Sequence, residues 1–292
     1  MFSAFHPRRR TVLALSAASL LTIVGCSQQD EEEGPPEIEV SGEFGTVPQI
    51  TFEAPLEVGE PYTEEIISGD GAELTDDSAV LLAYRAVDAT TGETVEQNFQ
   101  NPPQILLLSP DSAGLLYDEL LGQREGTRLL RVEQGTEDRP NPLVLVYDIL
   151  RTSAWGEELE PPEDGPQVSV GEGGEPEVQI PDEDPPAELQ VVPLVRGEGP
   201  QVRSGQAVTV RYSTVAWSTG DVVDTLWGEG VMPTTIPFTG LIPGWQNGLV
   251  DEHVGSRVML VTPPEQAYGT DTLVFVIDVL AVSSIQDEEG EA

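Results

Sequence analysis

Along residues 207–217 the sequence AVTVRYSTVAW alternates apolar and polar side chains with a period of two, which predicts a β-strand with one buried face. Thr219, Gly220 and Asp221 read as a turn, and VVDTLW (222–227) as the returning strand. RVMLVT (257–262) and TLVFVIDVL (272–280) are β-branched runs that predict further strands. Helical spacing is found over 244–253, where Trp245 and Leu249 share a face and Gly255 stands near the C-terminal stop. Strands with a single short helix predict an α+β domain, a sheet with one face closed by that helix.

The pattern occurs twice. ISGDGAELTDDSAVLLAYRAVDATTGETVEQNF (67–99) aligns with VRGEGPQVRSGQAVTVRYSTVAWSTGDVVDTLW (195–227) at an offset of 128. Gly69 and Gly71 match Gly197 and Gly199, Tyr84 matches Tyr212, and Gly92 matches Gly220. REGTRLLRV then matches HVGSRVMLV, and PLVLVYDIL matches TLVFVIDVL, at an offset near 130. Matching glycines mark matching turns, so two copies of one domain describe the chain better than one large fold.

Between the copies the composition changes. Segments 28–43, 157–186 and the C-terminal tail are rich in acid, Pro and Gly, which predicts solvated spacers, extended and poorly ordered through the first half of the middle one. The chain carries 52 acidic residues against 13 basic ones, all arginine, for a formal charge of −39. Nucleic-acid binding is excluded by the lack of a basic stripe, whereas a basic client would be attracted. No calcium-loop pattern or other metal-ligand spacing occurs, so neither a metal nor a cofactor is expected. At the N-terminus, Arg8, Arg9 and Arg10 precede an apolar run of about 13 residues, too short to span a bilayer and right for a signal segment. Ile23-Val24-Gly25-Cys26 resembles a bacterial lipobox, and Cys26 is the single cysteine. Lipid on Cys26 would hold the chain at the extracytoplasmic face of the cell membrane and leave both copies without disulfides.

GEGPQVRSGQAVTVRYS, GDVVDTLW, LIPGWQNGL, VGSR, PPEQAYG and TLVFVIDVL, in this order and spacing, resemble the FKBP-type peptidyl-prolyl isomerases over roughly residues 176–282. The resemblance implies an antiparallel sheet of about five strands wrapped around one short helix, with an aromatic pocket between them. It implies that Trp245 forms the pocket floor and that Tyr212, Val223, Leu241, Ile242, Ile236 and Phe275 line its walls. By the same resemblance the Tyr268 hydroxyl and the Ile242 N–H bind substrate carbonyls, and Asp224, held by Tyr212, sits beside the twisting imide. An acid inside VVDTL also calls for a buried partner in its own right. His253 reads as an exposed surface residue, and Asp251 and Glu252 as solvated charges on the helix face. The family pattern is not complete. Thr234, Ile236 and Val223 stand where phenylalanines are usual, and only Thr270, Asp271 and Thr272 connect Gly269 to Leu273 where the family has a long overhanging loop.

The first copy departs further. It has Leu116 for Trp245, Glu96 for Asp224 and Leu145 for Phe275, with nothing in place of Tyr268. The expected organisation is a signal peptide (1–25), an acidic spacer (26–43), a degenerate FKBP-like domain (44–152), an acidic linker (153–175), an isomerase domain (176–283) and an acidic tail (284–292). The expected activity is isomerisation of proline-containing exported polypeptides by a membrane-anchored monomer. A non-catalytic chaperone or scaffold using both copies as binding surfaces is the second reading, and an acidic surface or stalk protein the third.

Overall fold

The computed structural model describes residues 37–171 and 173–284. The signal segment, Cys26 and the acidic tail beyond Ser284 lie outside the described residues. No helix among the described residues is long and apolar enough to cross a membrane.

The first copy opens with a hairpin, β1 (Glu39–Ser41) against β2 (Gln49–Thr51). Its sheet comprises β3 (Tyr62–Ile67), β4 (Ala79–Asp88), β5 (Thr94–Gln97) and β6 (Gln104–Leu107). Two single-turn helices follow, α1 (Pro110–Ala113) and α2 (Tyr117–Leu120), then β7 (Arg128–Glu133) and β8 (Leu143–Leu150). The strand order is β3-β7-β8-β4-β5, with β6 also on β4 and every pair antiparallel. A short strand β9 (Glu157–Glu158) leads to a second hairpin, β10 (Gln167–Val170) against β11 (Pro176–Gln179). The second sheet is made of β12 (Gln190–Arg196), β13 (Gln206–Ala216), β14 (Val222–Thr225) and β15 (Thr234–Pro237). The helix α3 (Pro243–Leu249) comes next, and β16 (Arg257–Thr262) and β17 (Leu273–Ser284) close the copy. Its order, β9-β12-β16-β17-β13-β14 with β15 on β13, repeats that of the first sheet with β9 added at one edge.

The repeated glycines have a common cause. A Cβ at Gly197 would stand 2.4 Å from the Val254 carbonyl oxygen, and one at Gly69 the same distance from that of Glu125. Both strands leave the sheet by passing directly over the turn before β16 or β7, where no side chain fits.

Each sheet buries both faces, not the single helix-covered face that the sequence predicts. On one face of the second sheet Trp245 and Leu249 of α3 pack with Val210, Leu260, Phe275 and Ile277. On the other, Val168, Val178 and Ile180 of the β10–β11 hairpin cover Met259, Val261, Val274 and Val276. The β1–β2 hairpin does the same for the first sheet, with Val40 and Ile50 over Leu130, Val144 and Val146. Each hairpin is fastened by a buried ion pair. The Arg257 guanidinium donates to both oxygens of Asp278 (2.6 and 2.8 Å) and to the Gly174 carbonyl (3.1 Å). Arg128 donates likewise to Asp148 (2.6 and 2.8 Å) and to the Thr46 carbonyl (3.3 Å). Burial holds the Asp148 carboxyl above its usual range despite Arg128.

The middle acidic segment is therefore not an extended spacer. Val178 and Ile180, two apart, and Val168, which pairs with Val178 across the hairpin, give it a buried side that its many acids conceal. The join between the copies is bonded as well. Thr152 donates through its N–H (3.0 Å) and hydroxyl (2.5 Å) to Glu125, the Ala154 N–H donates to Asp278 (2.8 Å), and the Trp155 N–H donates to the Gly255 carbonyl (2.9 Å). Glu125 is 3% exposed, and burial raises its carboxyl above the usual 4.5. The folded state thus binds this proton more tightly than the unfolded chain does. The stability this contributes is complete below the unfolded value and is lost as pH rises through the folded one. Glu125→Gln keeps an acceptor for Thr152 and removes the titration. Urea midpoints measured between pH 4 and pH 8, the range about the usual carboxylate value, should fall less steeply with pH in this variant than in the parent.

Candidate active site

Four strands, one helix and two connecting segments bring the second copy's pocket together. The helix α3 reaches the sheet closely because its glycines permit it. A Cβ at Gly244 would lie 2.3 Å from the Thr262 methyl, and one at Gly248 would lie 2.5 Å from Leu260. That approach presses Trp245, 4% exposed, between Tyr212 of β13 and Phe275 of β17. Both contacts are edge-to-face, with ring centroids 5.1 and 5.4 Å apart, the arrangement aromatic quadrupoles favour. The helix is shorter than the sequence predicts: Val250 is already extended and Asp251 takes a positive φ of 71°. Asp251 and Glu252 thus follow the helix and do not lie on its face. His253 pairs with Gln201 in an isolated bridge and is half-buried, not exposed.

A cavity of about 390 Å³ opens above the Trp245 ring. Trp245, Tyr212, Phe275, Leu241, Ile242, Ile236, Val223, Asp224 and Tyr268 all line it, so the residues expected of the site are brought to one place. Gly240, Thr214 and Leu273 line it too and were not expected. Register explains Thr214, which pairs with Asp224 on one side and Phe275 on the other and so shares their face. Two adjacent polar residues, Ser213 and Thr214, breaking the alternation in β13 were the available signal.

Asp224 corrects one expectation: the carboxylate is exposed on the edge strand, and its partner is the Tyr212 hydroxyl, which donates to it at 2.6 Å. A register shift between Thr214 and Val215 leaves Val223 bulged outward and 56% exposed, turning Asp224 toward Tyr212. Burial first, then the bond to Asp224, raises the Tyr212 pKa well above 10.0, so the phenol remains a donor at neutral pH. Tyr268 stands 70% exposed at the rim. The short loop after it is tied down by Asp271, which accepts from the Ser218 hydroxyl at 2.6 Å. Ile242 is the N-cap of α3, where backbone N–H groups have no helical partner. Among the described residues no group of His, Cys, Asp and Glu could hold a metal ion.

The first copy keeps the frame and changes the floor. Its matching register shift exposes Val95 and places Glu96 where Tyr84 donates to it at 2.7 Å, so this tyrosine–acid pair survives the exchange of residue. Arg131 faces Leu145 where Leu260 faces Phe275 in the second copy. Arg131 is paired with Glu119 of α2 and with Glu133 (2.7 Å), which also accepts from Arg139 (2.9 Å). A charged network thus lies where the second copy has its apolar floor.

The second copy thus presents a largely apolar pocket floored by an indole, with a tyrosine–carboxylate pair in its wall. Residues 199–280 match the family described as FKBP-type peptidyl-prolyl cis-trans isomerase. The chain is 36% identical over 115 residues to a probable FK506-binding protein of Corynebacterium glutamicum, covering 36% of this chain and 97% of that protein. It is also 36% identical over 119 residues to an FK506-binding protein of Streptomyces anulatus, covering 37% and 96%. With the peptidyl-prolyl cis-trans isomerase Fkbp12 of Drosophila melanogaster it shares 31% identity over 111 residues, covering 32% and 97%. The chain belongs to the FKBP-type peptidyl-prolyl cis-trans isomerase family.

Proposed function

We propose that the second copy's cavity isomerises X-Pro bonds in exported polypeptides at the outer face of the membrane, where lipid on Cys26 would tether the chain. The observation that carries this reading is the buried aromatic floor placed beside fixed hydrogen-bonding groups: Trp245 under the cavity, with Tyr212–Asp224 in its wall. Rotation about the imide breaks no bond and faces a barrier of about 18–20 kcal/mol set by amide resonance. The twisted imide has lost that resonance and is less polar than the planar one, so an apolar cavity favours it over the ground state. In this reading the proline ring rests on the Trp245 indole between Phe275 and Ile236. The twisting carbonyl lies beside Asp224, and flanking carbonyls accept from the Ile242 N–H and the Tyr268 hydroxyl. Groups held in advance stabilise the twisted state without reorganising. A millionfold acceleration asks for about 8 kcal/mol, which needs no nucleophile.

Tyr268 provides the test with least risk to the fold, because it is largely exposed. Tyr268→Phe should lower kcat/KM for a short X-Pro peptide about fivefold to tenfold, the worth of one hydrogen bond, with an unchanged melting curve. An unaltered kcat/KM would remove Tyr268 from the site.

The first copy supports a second role. Its Glu119–Arg131–Glu133–Arg139 network puts charge next to Leu145, and the same copy exposes Leu115 (83%) and Val95 (57%). This is a surface for holding chain, not for desolvating an imide.

A further inference from the structure

The charges around the second copy's cavity are of one sign, and the fold has removed every cation from it. From β12 to the end of β17 there are four arginines and no lysine. Arg257 is buried against Asp278 on the hairpin side of the sheet. Arg211 neighbours Tyr212 on β13, so strand alternation turns it to the opposite face. There it stacks over the Trp227 ring at 4.9 Å and donates to the Val231 carbonyl at 3.0 Å. Arg196 lies on β12, across the sheet from β14, and is bonded to Glu157 at 2.8 Å. Arg203 stands in the turn before the far end of β13, and the strand from Gln206 to Thr214 alone runs roughly 26 Å at its rise per residue.

Acids occupy the near end instead. Asp221 caps the β13–β14 turn, its carbonyl accepting from the Ala216 N–H at 3.0 Å. Asp271 is bonded to Ser218 of the same turn and stands two residues before Leu273, which lines the cavity. Asp224 lies in the wall itself. Glu265 is exposed in the single turn Pro264–Gln266 that leads to Tyr268 at the rim. Asp224 in the wall is thus joined by exposed acids on the segments that lead to Tyr268, Leu273 and β14, and no arginine of the second copy lines the cavity. A cleft lined by one sign of charge concentrates the opposite sign and raises association rates.

We propose that this pocket selects prolines flanked by lysine or arginine, with Asp221, Glu265 and Asp271 as the residues that set the preference. The inference rests on the isomerase reading and names the substrate class of that same site.

The test uses the full chain and two peptides that differ only in their flanks, Lys-Leu-Pro-Phe-Lys and Glu-Leu-Pro-Phe-Glu, with an uncharged Ala-flanked control. Exchange between cis and trans is read by NMR, so no coupling protease imposes a preference of its own. At about 0.01 M salt, where the screening length is about 30 Å, the Lys-flanked peptide should be turned over about tenfold faster per unit enzyme than the Glu-flanked one. At about 1 M salt, where that length is about 3 Å, the two should agree within about twofold. Asp221→Asn/Glu265→Gln/Asp271→Asn should lose most of the low-salt preference while keeping its rate on the Ala-flanked control. Equal rates on both charged peptides at low salt would overturn the inference and leave the isomerase reading standing. A preference retained in full by the triple variant would overturn its assignment to these three acids. Failure to accelerate any of the peptides would instead defeat the isomerase reading itself.

Discussion

Arg257→Met is expected to lower stability by about 3–5 kcal/mol, because it strands the Asp278 carboxylate in the interior of the sheet. Asp278 is 1% exposed and receives two bonds from Arg257 and one from the Ala154 N–H. Losing the guanidinium also releases the Gly174 carbonyl, and with it the hairpin over Met259, Val261 and Val274. Arg257→Met/Asp278→Leu should recover much of the loss, since replacing both members of a buried pair by apolar groups of similar volume is often near neutral. Urea unfolding of the two variants and the parent checks this. If the single substitution costs less than about 1 kcal/mol, the magnitude of an exposed pair, the ion pair does not fasten the hairpin. Because Ala154 bonds to the same carboxylate, Arg257→Met should also make the 152–158 join more open to proteolysis.

The second large effect concerns the site. Asp224→Val/Tyr268→Phe removes the charged and the hydroxylic wall of the cavity at two exposed positions, so the core should be untouched. The Tyr268 hydrogen bond is worth about fivefold to tenfold, and removing the Asp224 carboxylate, whose charged interactions are worth about 1.5–3 kcal/mol, adds about tenfold or more. The double variant should therefore lose at least about 100-fold in kcat/KM for an X-Pro peptide, with its melting temperature within a few degrees of the parent's. Trp245→Leu, which installs the first copy's residue, should lose activity too, but at a cost in stability because Trp245 is core as well as floor.

How much of this was legible in the sequence varied with the range of the interaction. The strands of the second sheet follow the alternation in residues 207–217 and the β-branched runs after it, and the duplicated order of the sheets follows the duplicated glycines. Gly197 and Gly69 were informative because a close backbone approach leaves no substitute for them. Of the nine cavity residues expected of the site, all but Ile236 lay in motifs whose order carried the family resemblance. Three things were hidden. The β10–β11 hairpin was masked by its own acids, since only Val168, Val178 and Ile180 face the sheet and these few apolar positions are swamped by charge. The Arg257–Asp278 pair depends on the register of β16 against β17, which brings the two opposite each other. An acid interrupting the apolar run VVDTL called for a buried partner, yet the strand is an edge whose register shift turns its valines to solvent, and Asp224 meets the Tyr212 hydroxyl at an exposed position. The end of α3 comes about one turn before the expected stop near Gly255, because Val250 is already extended and Asp251 has a positive φ.

The two copies hold the same frame with different floors, and comparing them isolates what the floor does. The tyrosine–acid pair occurs in both, as Tyr212–Asp224 and Tyr84–Glu96, so that pair alone does not separate the copies. The aromatic stack of Tyr212, Trp245 and Phe275 occurs in the second, whereas Tyr84, Leu116 and Leu145 stand at its positions in the first, with the paired Arg131 in place of Leu260. If desolvation of the imide on an aromatic floor carries the rate, activity belongs to the second copy.

The most direct measurement is therefore cis/trans exchange of one X-Pro peptide by the full chain, with matched substitutions in each copy. The account predicts that the parent accelerates exchange, that Asp224→Val/Tyr268→Phe loses nearly all of the acceleration, and that Tyr84→Phe/Glu96→Val keeps it. A parent no faster than the uncatalysed peptide, or a loss that follows the first copy's substitutions, would contradict it.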